Sequence, residues 1–185
     1  MSDGLDILIL PDLSVTPDET GATAVEIKIS KNYLLIKDID DLISAIIREV
    51  VKRRKLVRTL TISSHGSEFH FRIGHEMISL NDKFHLARIQ KLTVLIPFFS
   101  KDAIVVISAC NTGQDQKLLR AVSKALGGVK VRSFTGDVDV EGIYGSVTPL
   151  GDHVICTQHS CQVKSSSDVL REMMLTGKSR GTGYR

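Results

Sequence analysis

Tryptophan is absent from the chain, and the other aromatics are few, six Phe and three Tyr among 185 residues. They are not interleaved with Lys and Arg, as a stacking platform for single-stranded nucleic acid requires. The basic excess is small too, 24 Lys and Arg against 21 Asp and Glu, and the stretch Lys178 to Arg185 supplies much of the net +3. No nucleic-acid partner is therefore expected. No apolar run is long enough to span a bilayer, which removes a membrane partner from the expectations. Met1-Ser2-Asp3-Gly4 lacks a basic start and Leu5 to Leu10 is too short for the apolar part of a secretory leader. Cysteine is scarce. Three residues, an odd number without regular spacing, make no disulfide framework and point to a reducing, cytoplasmic setting. Nucleotide-binding glycine motifs are missing. So is an arginine at the offset that a Cys-x5-Arg phosphatase loop needs, and no cofactor is expected.

What is present reads as one soluble globular domain, with 42% hydrophobic and 24% charged residues. Leu5 to Leu10 is a strand stopped by Pro11, Asp12 to Gly21 an exposed loop, and Ala24 to Ile29 a half-exposed strand. Asp38 to Arg54 is the clearest helix. Acids open it, Leu42, Ile43, Ile46, Ile47, Val50 and Val51 form one broad face, and Lys52, Arg53 and Arg54 close it. Leu56 to Gly66 is a second apolar strand. A hairpin around Gly74-His75 follows, then a helical stretch capped by Asn81 and another from Arg88 towards Phe99, broken at Pro97. After the strand beginning at Ala103 come a helix over Gln114 to Leu126, a strand over Val129 to Phe134, a loop over Thr135 to Tyr144, one or more strands within Thr148 to Gln158, and a helix over Ser165 to Leu175. The alternation predicts a three-layer α/β/α sandwich with a mainly parallel sheet and right-handed crossovers, spanning residues 1–175, followed by a basic tail over 176–185.

Two strand ends carry the chemistry. Ala103 to Ser108 is β-branched and apolar, as a strand covered on both faces reads, and it runs into Ala109, Cys110, then Asn111-Thr112-Gly113. A thiol beyond the carboxyl end of a strand in an open α/β sheet stands where ligands bind. Free cysteines are also among the most buried residue types and often serve as small hydrophobes. Leu56 to Ser64 ends in the same manner, on small residues and then His65-Gly66. A cysteine nucleophile needs an imidazole nearby in space, not in sequence.

Taken together, His65-Gly66 after one strand and Ala109-Cys110 after the next resemble the caspase-like cysteine peptidases, with Cys110-Asn-Thr-Gly most similar to the bacterial separase, gingipain-like and CHAT-type members. The separation of about 45 residues is near the roughly 50 of caspases, although Ser-Ala-Cys-Asn-Thr-Gly departs from their cysteine motif at two places. The resemblance covers Leu5 to Ile155. It implies the caspase-like sandwich and cysteine endopeptidase activity on a protein substrate, with Cys110 as nucleophile. It further implies that His65 polarises the carbonyl or protonates the leaving amine, that the N–H groups of Gly66 and Cys110 form the oxyanion hole, and that no metal or cofactor is used. Glycine at 66 would let the chain turn after His65 and bring its N–H to the substrate. Activation by a protein partner, by formation of a homodimer or by cleavage in a loop would follow. A catalytically silent interaction module on the same fold and another kind of hydrolase are the competing classes.

The same resemblance puts the pocket for the residue before the scissile bond near the nucleophile strand and the segment Phe134 to Gly142. Asp137 and Asp139 there would select arginine or lysine, while Arg132 would instead receive an aspartate; Ser108, two before the cysteine, is neutral. A solvated acidic loop is the plain alternative. Among other candidates, His70 and His75 read as surface residues of the hairpin. His153, Cys156, His159 and Cys161 are dense enough for zinc, but in one strand Cys156 would face away from the other three.

Overall fold

A computed structural model describes residues 4–15, 33–141, 146–149 and 151–168. In chain order these form β1 (Leu5–Pro11), β2 (Tyr33–Ile36), α1 (Ile39–Arg53), β3 (Val57–Ser63), β4 (Gly66–Ser67), β5 (His70–Ile73), β6 (Glu76–Ser79), α2 (Lys83–Lys91), a 3-10 segment (Leu92–Phe98) and β7 (Phe99–Ser108). A 3-10 turn (Thr112–Gln114), α3 (Gln116–Ala125), β8 (Lys130–Phe134), β9 (Val138–Glu141), β10 (Ser146–Pro149), β11 (His153–Cys156) and β12 (Cys161–Lys164) follow. The seven-stranded main sheet has the order β12-β11-β8-β7-β3-β1-β2. Its β2, β1, β3, β7 and β8 are parallel, and β11 and β12 turn antiparallel at one side.

The helices fall where the sheet order sends them. From β2 to β3, β3 to β7 and β7 to β8 the chain steps in the same direction, so right-handed connections lie on one face. In agreement, α1 packs on the 3-10 segment, and α2 packs on both that segment and α3. Under this layer Ile7, Ile9, Leu60, Ile62, Val105, Ile107 and Val131 are buried in a common core with Leu42, Ile46, Leu118 and Val122. The opposite face carries the register-matched row Leu8, Thr61, Val106, Arg132 and Ile155. A second helical layer on that face, which the three-layer expectation requires, is not found among the described residues. The expected strand over 24–29, most of the expected helix over 165–175 and the tail over 176–185 lie outside them.

Local chemistry accounts for the element ends. The Asp38 carboxylate accepts from Asp41 N at 2.8 Å and caps α1, whose basic last turn contains Lys52 and Arg53. Val51, expected on the buried face, is instead exposed, because the stripe that meets the sheet is Ile39, Leu42, Ala45, Ile46 and Val50. The cap of α2 is Asp82 and not Asn81: its carboxylate accepts from both Phe84 N and His85 N. Pro97 ends no separate helix but lies inside the 3-10 segment, just before β7, which begins at Phe99 and not at Ala103. The loop expected over 135–144 contains β9, which pairs antiparallel with β10.

Cysteine pairing differs from expectation. Cys156 and Cys161 are directly opposed in the β11–β12 hairpin, with Cα atoms 4.0 Å apart, and form a disulfide, leaving Cys110 as the free thiol. No helix among the described residues is long and apolar enough to cross a membrane.

Candidate functional site

The register of two central strands decides where His65 and Cys110 go. Ser63 of β3 pairs with Ser108 of β7, and Ser64 N donates to Ser108 O at 3.2 Å. His65 and Cys110 each stand two residues beyond that pair, so they leave the carboxyl edge of the sheet from neighbouring strands at the same level. A slip of one residue would send one of them to the other face. Ser63 and Ser108 are themselves buried, so Ser108 stands behind the edge and not at its surface.

Beyond the edge the two segments touch. A Cβ placed on Gly66 would fall 2.7 Å from Ala109 Cβ, 2.6 Å from Thr112 Oγ1 and 3.1 Å from Cys110 O. Glycine is required there for space: Gly66 is not among the residues with positive φ, so the turning role expected of it is not its reason. Thr112, fully buried, ties the strand ends to the small sheet by donating to His70 O at 3.3 Å. Gly66 itself pairs with Phe71 in that sheet.

The thiol has a second neighbour that side-chain patterns did not reveal. Val138 N donates to Cys110 Sγ at 3.4 Å. The segment bearing this N–H is stitched to the cysteine loop: Asn111 N donates to Gly136 O at 2.9 Å, Asn111 Nδ2 to Asp137 Oδ1 at 2.8 Å, and Gln114 Nε2 to Thr135 O at 3.0 Å. Asn111 occupies the left-handed region at φ 58°, which Asn tolerates better than most residues. Gly113 approaches the Phe134 backbone so closely that a Cβ would lie 2.6 Å from its carbonyl.

Cys110 is half-buried and His65 exposed. Among the described residues no hydrogen bond joins the two. Asp137 is exposed and its Oδ1 accepts from Asn111 Nδ2, while Asp139 pairs through its backbone with Thr148 between β9 and β10. Arg132 lies on the same sheet face as Ser108 but one row further from the carboxyl edge, its guanidinium 5.9 Å from the Phe134 ring.

No protein-family model, curated protein or solved structure matches the chain. What the site can do therefore follows from its own groups. They are a thiol with a backbone donor on its sulfur, an imidazole at the adjacent strand end, and backbone N–H groups at both.

Other candidates separate from this place. His70 is half-buried, not a surface residue, because its ring is held by Ser67 Oγ at 2.8 Å between neighbouring strands. Burial first, then the positive charges of Arg72 and His85, push its pKa down. The β11–β12 turn supplies the reversal that a zinc cluster would need, yet its two thiols are bonded to each other. No group of three or more His, Cys, Asp or Glu suited to a metal occurs among the described residues. A depression of about 200 Å³ lined by Leu5, Ile7, Tyr33, Leu34, Glu49 and Arg53 lies at the amino edge of the sheet, the end away from Cys110.

Proposed function

We propose that this chain is a cysteine endopeptidase of caspase-like fold and mechanism, with Cys110 as nucleophile and His65 as its proton partner. The observation that supports this reading is the Ser63–Ser108 register, by which His65 and Cys110 follow neighbouring strands at one level of the sheet edge, with Gly66 packed on Ala109 and Cys110. In the proposed reaction the thiolate adds to the scissile carbonyl carbon and the carbonyl electrons move onto oxygen. The C–N bond then breaks as the amine takes a proton from His65, and water hydrolyses the thioester. The Gly66 and Cys110 N–H groups are assigned to the oxyanion; one such donor is typically worth about 3 kcal/mol. A protein substrate is cut after a basic residue, with Asp137 or Asp139 receiving its charge and Ser108 behind the pocket.

A silent interaction module on the same fold is the second reading, favoured by the absence of a hydrogen bond between His65 and the thiol among the described residues. A cysteine-directed activity probe and a peptide-library digest separate the two. Cys110→Ala should abolish labelling and cleavage while the protein stays folded, and His65→Ala should lower turnover by at least about a hundredfold, the low end for a positioned acid or base. Full cleavage by Cys110→Ala would end the proposal. Matched fluorogenic substrates test the pocket, since a preference for aspartate over arginine would reject Asp137 and Asp139 as its floor.

A further inference from the structure

The Asn111–Asp137 hydrogen bond lies outside the proposed dyad, and its geometry gives it a task. Asp137 sits between Gly136, whose carbonyl takes the Asn111 N–H, and Val138, whose N–H is donated to Cys110 Sγ. Asn111 thus grips the segment twice, by backbone and by side chain, one residue from the thiol. Gln114 Nε2 in turn donates to Asn111 Oδ1 at 3.0 Å and to Thr135 O, which fixes the orientation of the Asn111 amide. At its far side the segment is anchored by Thr135 N on Asp152 O at 3.0 Å and Asp152 N on Thr135 Oγ1 at 2.8 Å. Every one of these contacts holds residues 135–138 in the position from which the Val138 N–H reaches sulfur.

We infer that Asn111 and Asp137 are positioning residues for the thiol: their hydrogen bond holds the Val138 N–H on Cys110 Sγ and so fixes the sulfur at the sheet edge. The inference rests on the reading of Cys110 as the reactive group. Loss of either partner releases the side-chain grip on residues 135–138, whereas an amide at 137 still offers an acceptor to Asn111 Nδ2.

The test is amide hydrogen exchange at Val138, read beside alkylation of Cys110 by iodoacetamide, a small neutral reagent that needs no substrate pocket, at one pH in the full chain. Asp137→Asn keeps an acceptor for the Asn111 amide and removes the charge. Asp137→Ala removes both. Asn111→Gly deletes the side-chain grip while glycine retains the left-handed backbone without strain.

If the pair positions the donor, Asp137→Ala and Asn111→Gly both speed exchange of the Val138 N–H by about tenfold or more and change the alkylation rate by about threefold or more, while Asp137→Asn stays within about twofold of the parent in both. Val138 exchange unmoved in Asp137→Ala and Asn111→Gly overturns the inference. So does an Asp137→Asn variant that departs from the parent as far as Asp137→Ala does. Because Asn111→Gly is read independently, misfolding of Asp137→Ala would not remove the test. Exchange and alkylation that move as expected in a protein that cuts no peptide would reject the peptidase reading and leave this inference standing.

Discussion

Gly66→Ala is the smallest change that should pull the candidate site apart. The added methyl would meet Ala109 Cβ at 2.7 Å and Thr112 Oγ1 at 2.6 Å, against an ordinary contact of 3.4 Å or more. Ala109 has no rotamer to change, and its Cα belongs to the buried run that continues β7, so relief requires the two strand ends to part by about 0.7 Å. Overpacking of this kind costs about 1–3 kcal/mol, and at this chain length each 1 kcal/mol lowers Tm by about 2–4 °C. Since a misplacement of about 1 Å at a reacting centre can cost a hundredfold, proposed peptidase turnover should fall by roughly ten- to a hundredfold. The cause can be isolated by Gly66→Ala combined with Ala109→Gly, which removes the nearest fixed carbon and should recover part of both losses in a double-mutant cycle. Melting by differential scanning fluorimetry and initial rates on a cleaved peptide suffice. Were Gly66→Ala to melt and react as the parent does, the close approach of the two strand ends would be wrong.

Two further expectations concern other parts of the sheet. The Cys156–Cys161 bond closes a short loop, for which chain-entropy arguments give about 2 kcal/mol; dithiothreitol or Cys161→Ser should therefore lower Tm by about 5 °C, and a Tm indifferent to both would show that the bond does not stabilise the fold. His153 stands edge-on to Phe134 at 5.0 Å, and burial first, then Arg132, lowers its pKa, with Asp152 opposing. A His that is harder to protonate in the folded chain leaves the unfolded chain binding more protons once pH falls below its ordinary value near 6.5. Stability is thus complete above about pH 6.5 and declines below it, with His70 contributing in the same direction. Tm should drop between about pH 7.5 and about pH 5.5, less so in a His70→Asn, His153→Asn variant; a Tm that rises over that interval would refute the sign.

How much of this was legible in the sequence depended on whether a feature is carried by side-chain pattern or by backbone. The uninterrupted apolar runs of β3 and β7 and the capped, charge-graded α1 were readable because burial and the helix dipole select residue types. The four-residue β2 was not, since Tyr33-Leu-Leu-Ile is too short to show a period, and its place beside β1 is a matter of pairing. Likewise Asn81 and Asp82 are equally good caps by type, and only the backbone trajectory selects Asp82. The Val138 N–H on the thiol had no signal at all, because an N–H is common to every residue but proline. Asp137 stands out in the sequence by its charge, whereas the bond it makes depends on Asn111 adopting the left-handed conformation.

The common level of His65 and Cys110, each two residues beyond the Ser63–Ser108 pair, lies between these cases. Matching small-residue strand ends suggested it, but the distance between two strand ends is fixed by register, and register is not written in either strand alone. The faces narrow it: Leu60 and Ile62 on β3 and Val105 and Ile107 on β7 all point into the helical core, which excludes a shift by one residue. Shifting the pairing by two residues would preserve both buried faces but separate His65 from Cys110 by about 7 Å along the strand. The bond from Ser64 N to Ser108 O and the fit of Gly66 against Ala109 oppose that shift, so the residues next to the candidate dyad are also the ones that fix its register.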